Sequence, residues 1–420
     1  MTKSVKSFII KNDMNMAQKI SLLVITFFIK INLIFLPLVM AKVTGVCSNC
    51  HTMHNSQDGQ PVVKFGGWDP SNGQQTGSIS DEPQEYLLIS NCIGCHTNAV
   101  DDKTIITIGP SGGESYIPIV YNASVEPNYP EEPTASGSSN TLAGGNFYWI
   151  EHDGDEYGHN VVSRADSLLT EAPGRNQGCT DSCHYSLYQW RFPWPNSEGQ
   201  GCPSCHTPAH HKGGSSTAVA DEEDGWYRFL GKKHSQGPDR PILKGLEDPD
   251  WQQTVSPTDH NEYWDTWDYG PGNAGISKFC AACHGNFHST RYGPWAGNGG
   301  FKGGPDGGWH TAPWFRHPAG IFLPDFGESS KYNTDGSGDE GVPGSYNPVA
   351  PVSRQDIDSY TAPSEVVTVG SSGDMVSCIS CHRAHASPYP DMLRWNYDTC
   401  QASTANSDCG CFICHTRKDE

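Results

Sequence analysis

The chain has 420 residues, of which 35% are hydrophobic, with 46 glycines, 30 prolines and a formal charge of −20. A chain of this length ordinarily folds as two or three domains with apolar cores, and so low an apolar content with so many chain-breaking residues argues against that plan. The acidic balance argues against nucleic acid and anionic membrane surfaces as partners.

The first 40 residues end in a mostly apolar run over 20–40, preceded by Lys19 and closing on Val39-Met40-Ala41, a small-residue cleavage pattern. We read residues 1–41 as an export signal, of ordinary length if translation starts at Met16, with the mature chain beginning at Lys42. The alternative is an uncleaved anchor, since the run approaches the ~20 residues that span a bilayer. Removing the segment takes away five lysines and one aspartate and leaves a formal charge of −24.

Directly after it stands Cys47-Ser-Asn-Cys50-His51-Thr-Met-His54. Two thiols at C-x-x-C spacing can form thioethers to the two vinyl groups of a haem, while the histidine that follows reaches the iron from one face. The pattern recurs at Cys92/Cys95/His96, Cys202/Cys205/His206, Cys280/Cys283/His284, Cys378/Cys381/His382 and Cys411/Cys414/His415. A variant with one extra residue stands at Cys179/Cys183/His184. Zinc is the competing reading of repeated C-x-x-C units. With 18 histidines in the chain, a chance histidine after one such pair has odds of about one in twenty, so histidine after all seven is not accidental. Seven haem c groups are expected, and export fits them, because haem is attached to c-type cytochromes outside the cytoplasm, where free thiols would oxidise.

The motif starts are separated by 45, 87, 23, 78, 98 and 33 residues. No fixed period exists, so residues 42–420 are expected to form one continuous haem-threaded unit. Residues 110–145 and 325–350, rich in Gly, Pro and polar residues, read as surface loops, the first with a hairpin around 115–121. Cys400 and Cys409 fall outside the motifs, and in an exported protein a small disulfide loop is their simplest reading; Cys409 could instead replace Cys411 in a C-x4-C-H unit. The expected fold is loop-rich and mostly irregular, with short helices near the attachment motifs and few short strands. Haems would form its hydrophobic core, so the apoprotein should not fold.

The proximal iron ligands are then His51, His96, His184, His206, His284, His382 and His415. Among the other histidines, His54, His159, His288, His317 and His385 rank first as distal ligands, then His210 or His211, then His234. His152, His260 and His310 stay unassigned. The supply suffices for bis-histidine iron throughout, which closes both axial positions and suits electron transfer rather than substrate binding. A histidine three residues after a proximal one is too tethered to reach the far face of its own haem, so His54 and His385 should serve other haems. The many Trp and Tyr read as packing on porphyrin edges. No hydrolytic triad, phosphate loop or nicotinamide fingerprint stands out, so an electron carrier is expected, with a multihaem reductase having one open iron as the alternative.

The wording of several segments resembles one family: Cys50-His-Thr-Met-His-Asn55, Gly158-His-Asn-Val-Val162, Tyr227-Arg-Phe-Leu-Gly231, Cys280-Ala-Ala-Cys-His284 with His288, Arg316-His-Pro-Ala-Gly320 and Cys381-His-Arg-Ala-His-Ala-Ser387. These are similar to the OmcS-type multihaem cytochromes, which polymerise into extracellular conductive filaments called cytochrome nanowires. The resemblance implies an extracellular or cell-surface filament of identical subunits, reached through the periplasm, that passes electrons from upstream carriers to a mineral, electrode or other acceptor. It also implies that His54 ligates a haem of the next subunit, the one at Cys378/Cys381/His382. The familiar member of the type carries six haems, so the site at Cys179/Cys183/His184 is an addition, with His210, His211 and His234 nearest in sequence to complete it. A monomeric periplasmic shuttle is the alternative to the filament.

Overall fold

A computed structural model describes residues 45–51, 56–57, 60–61, 68–69, 74–75, 92–98, 101, 103–122, 125–127, 141–159, 202, 205–206, 218–219, 226–230, 243–266, 275–281, 317, 319–404, 408–416 and 418. Among them the helices are short, with α-helices at Cys92–Cys95, Tyr148–His152, Ile276–Ala281, Cys378–Cys381 and Gly410–Cys414. Four of these five contain attachment cysteines, and a 3-10 turn at Cys47–Asn49 opens the first motif. The strands are two to four residues long, and most of the described chain is turn or irregular. The expected loop-rich class, with short helices at the motifs, is the observed one.

Several of the small sheets receive or lead into an attachment motif. The strands Ile105–Ile108 and Ser115–Pro118 form an antiparallel hairpin in the register Ile105↔Pro118 and Ile108↔Ser115. This hairpin receives the first motif: Asn49, fully buried, donates from Nδ2 to the Gly113 carbonyl at 2.9 Å and to Ser115 Oγ at 3.0 Å. Gly109, at φ +98°, leaves room for the Asn49 amide, which a Cβ at that position would strike. After the second motif, Thr97–Asn98 pairs in parallel with Tyr121–Asn122. Ile321–Phe322 pairs with Met375–Val376, which leads into Cys378–Cys381. Ser377 starts that helix, its N–H donating to Ser380 Oγ at 3.0 Å.

Two segments with loop-like composition carry buried anchors among exposed residues such as Phe326 and Val342. Within 110–145, Ser115, Ile117, Ile119 and Tyr121 are buried on alternate positions, and Thr141 and Leu142 are buried as well. Within 325–350, Tyr332, Tyr346, Val349 and Ala350 are buried and join Leu323, Val352, Val367, Val376, Trp395 and Ile413 in the largest apolar cluster. The attachment cysteines Cys381, Cys411 and Cys414 pack against the edge of this cluster. Polar neighbours hid these aromatic anchors. The Tyr332 hydroxyl donates to the Ala350 carbonyl at 2.9 Å and accepts the Asn347 N–H at 3.0 Å, so a polar-rich stretch closes around a buried ring. Smaller clusters gather Tyr121, Phe147, Ile150 and Ala386, and Tyr227, Leu243, Tyr263, Ile276, Phe279 and Ile379.

Arg354 ties two of these regions together from a fully buried position. Its Nε and Nη2 donate to Glu262 at 2.7 and 3.0 Å, and Nη1 donates to Asp374 at 2.7 Å and to the Val366 carbonyl at 2.8 Å. Its backbone bridges to Trp264, while the adjacent Ser353 bridges to Met375. Burial would raise the Glu262 carboxyl, but His260 and Arg354 outweigh it and hold the group below its usual range.

Candidate functional site

The five attachment motifs whose histidine is described share one local geometry. The N–H of the motif histidine donates to the carbonyl of the first cysteine at His51 (2.8 Å), His96 (3.0 Å), His206 (2.8 Å), His382 (3.0 Å) and His415 (2.8 Å). One helical turn therefore spans each motif, which places two side chains three residues apart on the same face with the histidine just beyond.

Four of these rings, those of His96, His206, His382 and His415, are then oriented from outside the motif. His96 Nδ1 donates to the Pro118 carbonyl at 2.7 Å, His206 Nδ1 to the Arg228 carbonyl at 3.0 Å and His382 Nδ1 to the Asp391 carbonyl at 2.7 Å. His415 Nδ1 faces Glu328 Oε1 at 2.9 Å. A carbonyl can only accept, so Nδ1 carries the proton and Nε2 is left with its lone pair. That is the arrangement a metal-ligating imidazole uses, with the second nitrogen held by a carbonyl or carboxylate. The residues present thus fit haem iron: a thiol pair for the porphyrin edge and an oriented Nε2 for the metal.

His159 and His385, candidate distal ligands, show the same preparation. His159 Nδ1 lies 2.8 Å from the Ala384 carbonyl and His385 Nδ1 3.3 Å from the Gly145 carbonyl. Both hang on a crossing at Ala386, which bridges Gly145 on one side and Gly158 on the other. The His159 N–H donates to the His385 carbonyl at 3.0 Å, and the His385 N–H donates to the Gly144 carbonyl at 2.7 Å. Phe147 stacks on the His385 ring at 4.7 Å. Burial lowers the His385 pKa to about 3, with His206, His159 and His96 adding their repulsion. Four histidines of separate segments are therefore neighbours, and His385 among them is kept as neutral imidazole.

Two pairs of rings are placed across from each other. His206 and His385 stand 6.1 Å apart, centroid to centroid, with planes inclined 59°. His317 and His415 stand 6.1 Å apart at 87°. With metal–nitrogen bonds of about 2 Å, two imidazoles on opposite faces of one metal would have centroids roughly 6 Å apart.

The attachment cysteines of the described motifs also lie near one another. Cys92 and Cys202 are hydrogen-bonding neighbours, as are Cys280 and Cys378. Cys50 is within electrostatic range of Cys95, Cys205 of Cys280, and Cys411 and Cys414 of Cys381. Burial pushes the Cys95 thiol up to about 11, helped by Cys50 and Cys92, and the Cys414 thiol up to about 12. Neither is the low-pKa thiolate of a catalytic cysteine.

Cys400 and Cys409 are joined by a disulfide, with Cα atoms 5.3 Å apart. Their sulfurs and that of Cys411 lie within 4.8 Å of one another, but the bridge leaves no thiolate pair there for a metal. His260 is fully buried, stacked on Tyr346 at 3.7 Å, with Nδ1 3.0 Å from the Ser256 carbonyl and Nε2 3.3 Å from Glu262. Nδ1 is held by that carbonyl and Nε2 sits against the carboxylate that pairs with Arg354, so it is a core histidine. His152 is exposed and stacks on Tyr148 of its own helix at 3.6 Å. The export segment 1–41, His54, Cys179, Cys183, His184, His210, His211, His234, Cys283, His284, His288 and His310 lie outside the described residues.

Sequence reasoning missed the residues that orient the rings. The carbonyls of Pro118, Arg228 and Asp391 carry no side-chain signature. Glu328 looks like any other acidic residue of a polar segment, and Gly144 and Gly158 like ordinary loop glycines.

Repeated C-x-x-C-H turns with oriented histidines, on a loop-rich fold, define a cytochrome of the c type that binds haem c. A family model described as doubled CXXCH motif matches residues 370–420, which hold the last two attachment sites. The chain is homologous to the C-type cytochrome OmcS of Geobacter sulfurreducens (strain ATCC 51573 / DSM 12127 / PCA), being 26% identical over 395 residues that cover 83% of this chain and 78% of the relative. Among solved structures, it is similar to the Outer Membrane Cytochrome S filament from Geobacter sulfurreducens, at 21% identity and a TM-score of 0.44, over 88% of this chain and 87% of that one. A second similar structure is that of the OmcS nanowires from the same organism, at 20% identity and a TM-score of 0.45, over 87% of each chain.

Proposed function

We propose that the chain is a non-catalytic electron conduit that holds seven haem c groups in one row and assembles with identical subunits into an extracellular filament. Haem supplies one-electron redox chemistry, and the polypeptide sets spacing, ligation and access. The observation that carries the reading is the proximity of attachment cysteines from six of the seven motifs, from Cys50 and Cys95 through Cys92 and Cys202, then Cys205, Cys280 and Cys378, to Cys381, Cys411 and Cys414. Groups anchored at neighbouring cysteines are themselves neighbours, and a row of neighbours carries charge without any moving part.

In this reading His385 completes the iron held by His206, and His317 the iron held by His415, on the strength of their ring spacing. His159, in range of His385 together with His96, completes the iron at Cys92/Cys95. Closing both axial positions excludes substrate from the metal. The site at Cys179/Cys183/His184 takes its distal ligand from His210, His211 or His234. Cys283 and His284 complete the fifth site in chain order, and His288 serves as a further distal ligand.

The homology to OmcS supports assembly, with residues 1–41 as the export signal and His54 as the ligand given to the Cys378/Cys381/His382 site of the next subunit. Haem content per chain and electron microscopy of the purified surface fraction test the two halves separately. Seven haems with low-spin spectra and filaments that disappear in a His54→Ala variant are the expected results. Monomers at all concentrations would favour a periplasmic shuttle, and high-spin iron with turnover of a small oxyanion would favour a reductase.

A further inference from the structure

The oriented attachment histidines are not equivalent. At His96, His206 and His382 the Nδ1 proton meets a neutral backbone carbonyl, whereas at His415 it meets the carboxylate of Glu328. A carboxylate is the stronger acceptor and brings a formal charge to the imidazole. Drawing the Nδ1 proton outward makes Nε2 a stronger donor, the effect by which outer-shell partners raise ligand basicity.

Glu328 is built into this position. It opens the 3-10 turn Glu328–Lys331, and its own carbonyl accepts from Thr416 Oγ1 at 3.2 Å. The Asn333 N–H donates to the Ile413 carbonyl at 2.7 Å, which clamps the end of the same segment onto the helix Gly410–Cys414. Ser330 Oγ donates to the Gly327 carbonyl at 2.7 Å and closes the turn. The Glu328 side chain is 23% exposed, and its cation partner, Lys418 at 3.7 Å, is 58% exposed. An exposed ammonium at that distance is largely screened, so it offsets little of the carboxylate's effect on the ring.

We propose that Glu328 tunes the haem at Cys411/Cys414 to a more negative reduction potential than the haems held by His96, His206 and His382. The proposal rests on the reading that this motif holds a haem with His415 on the iron. A more basic ligand and an adjacent negative charge both favour the ferric state over the ferrous one, whose net positive charge is smaller. The electron therefore leaves this site for its neighbour at Cys378/Cys381, where His382 faces only the Asp391 carbonyl. The C-terminal site becomes the uphill end of the row, and a single carboxylate gives the row a direction.

Spectroelectrochemical titration of the full-length haem-loaded protein tests this with two variants. Glu328→Gln keeps an acceptor at the same place and removes the charge. It is expected to shift the reduction equilibrium of the lowest-potential component at least tenfold toward the ferrous state, about 59 mV for a one-electron couple, with the other components unmoved. Lys418→Ala is expected to move the same component the opposite way by a smaller factor. An unmoved lowest component in both variants, or a shift confined to a higher component, overturns the proposal. The underlying reading is checked on the wild-type protein, through the mass of the peptide carrying Cys411 and Cys414 and a low-spin spectrum. A peptide without haem would defeat that reading and the tuning with it, whereas a haem-bearing peptide with an unmoved potential defeats the tuning alone.

Discussion

The His206 and His385 rings face each other at 6.1 Å, although one follows the Cys202/Cys205 pair and the other lies three residues beyond His382. His385 thus stands beside the histidine of another motif. If it is the sixth ligand there, His385→Ala should leave one iron per chain five-coordinate. The expected readout is one high-spin ferric equivalent and carbon monoxide binding to one haem after reduction. A spectrum that stays wholly low-spin would show that another residue holds that face. His317→Ala makes the same test for the pair with His415, at an exposed position where folding is little affected.

Gly158→Ala probes the crossing that carries two candidate ligands. A Cβ there would lie 2.5 Å from Ala386 Cβ, 2.5 Å from the His385 carbonyl oxygen and 2.8 Å from Ile150 Cδ1. The backbone must move, at a cost of about 1–3 kcal/mol, and it carries His159 and His385 with it. Two high-spin equivalents are expected where His385→Ala gives one. Ligation unchanged from wild type would mean that the crossing positions neither ring.

Much of the attachment chemistry was legible because it is local. Cys and His at fixed spacing need only one turn of chain, and the His-to-Cys hydrogen bond closes that turn at all five described motifs where it is seen. That His385 stands beside a different motif's histidine agrees with the expectation from its short tether, since three residues are too few to reach round its own site. The partners that orient the rings come from elsewhere in the fold and are mostly backbone atoms, on which sequence is silent. The buried anchors within 325–350 were hidden because Tyr332 and Tyr346 are few among many polar residues, and the Tyr332 ring is buried with a hydroxyl partner that only folding supplies. The pairing of Arg354 with Glu262 joins distant segments whose charges look ordinary in sequence.

That buried ion pair is expected to dominate the stability of the C-terminal region. Arg354→Met would leave Glu262 and Asp374 without their cation in a site closed to water. Removing one partner of such a cluster costs about 3–5 kcal/mol. Guanidinium unfolding followed by tryptophan emission and by the haem band should show the loss in both signals. A change below ~1 kcal/mol would mean that water or a rearranged side chain reaches the two carboxylates.

A pH dependence should originate at Asp265, which is fully buried and accepts hydrogen bonds from Ser277 Oγ and from the Thr266 N–H at 3.0 Å. Burial raises its pKa to about 7 despite those hydrogen bonds. An unfolded aspartate releases its proton near pH ~3.9, so the folded state binds the proton more tightly between these values. The associated stability is complete below about pH 4 and is lost as the pH rises toward 7. Between pH 5 and 8 the wild-type protein should therefore lose on the order of 2–3 kcal/mol that an Asp265→Asn variant does not lose. The comparison uses the difference between the two proteins, so other titrating groups, such as Asp248, which burial first and then Asp250 push up to about 8, cancel. Parallel stability curves for the two proteins across that range would show that Asp265 is ionised in the fold, with its charge borne by Ser277 and the Thr266 amide.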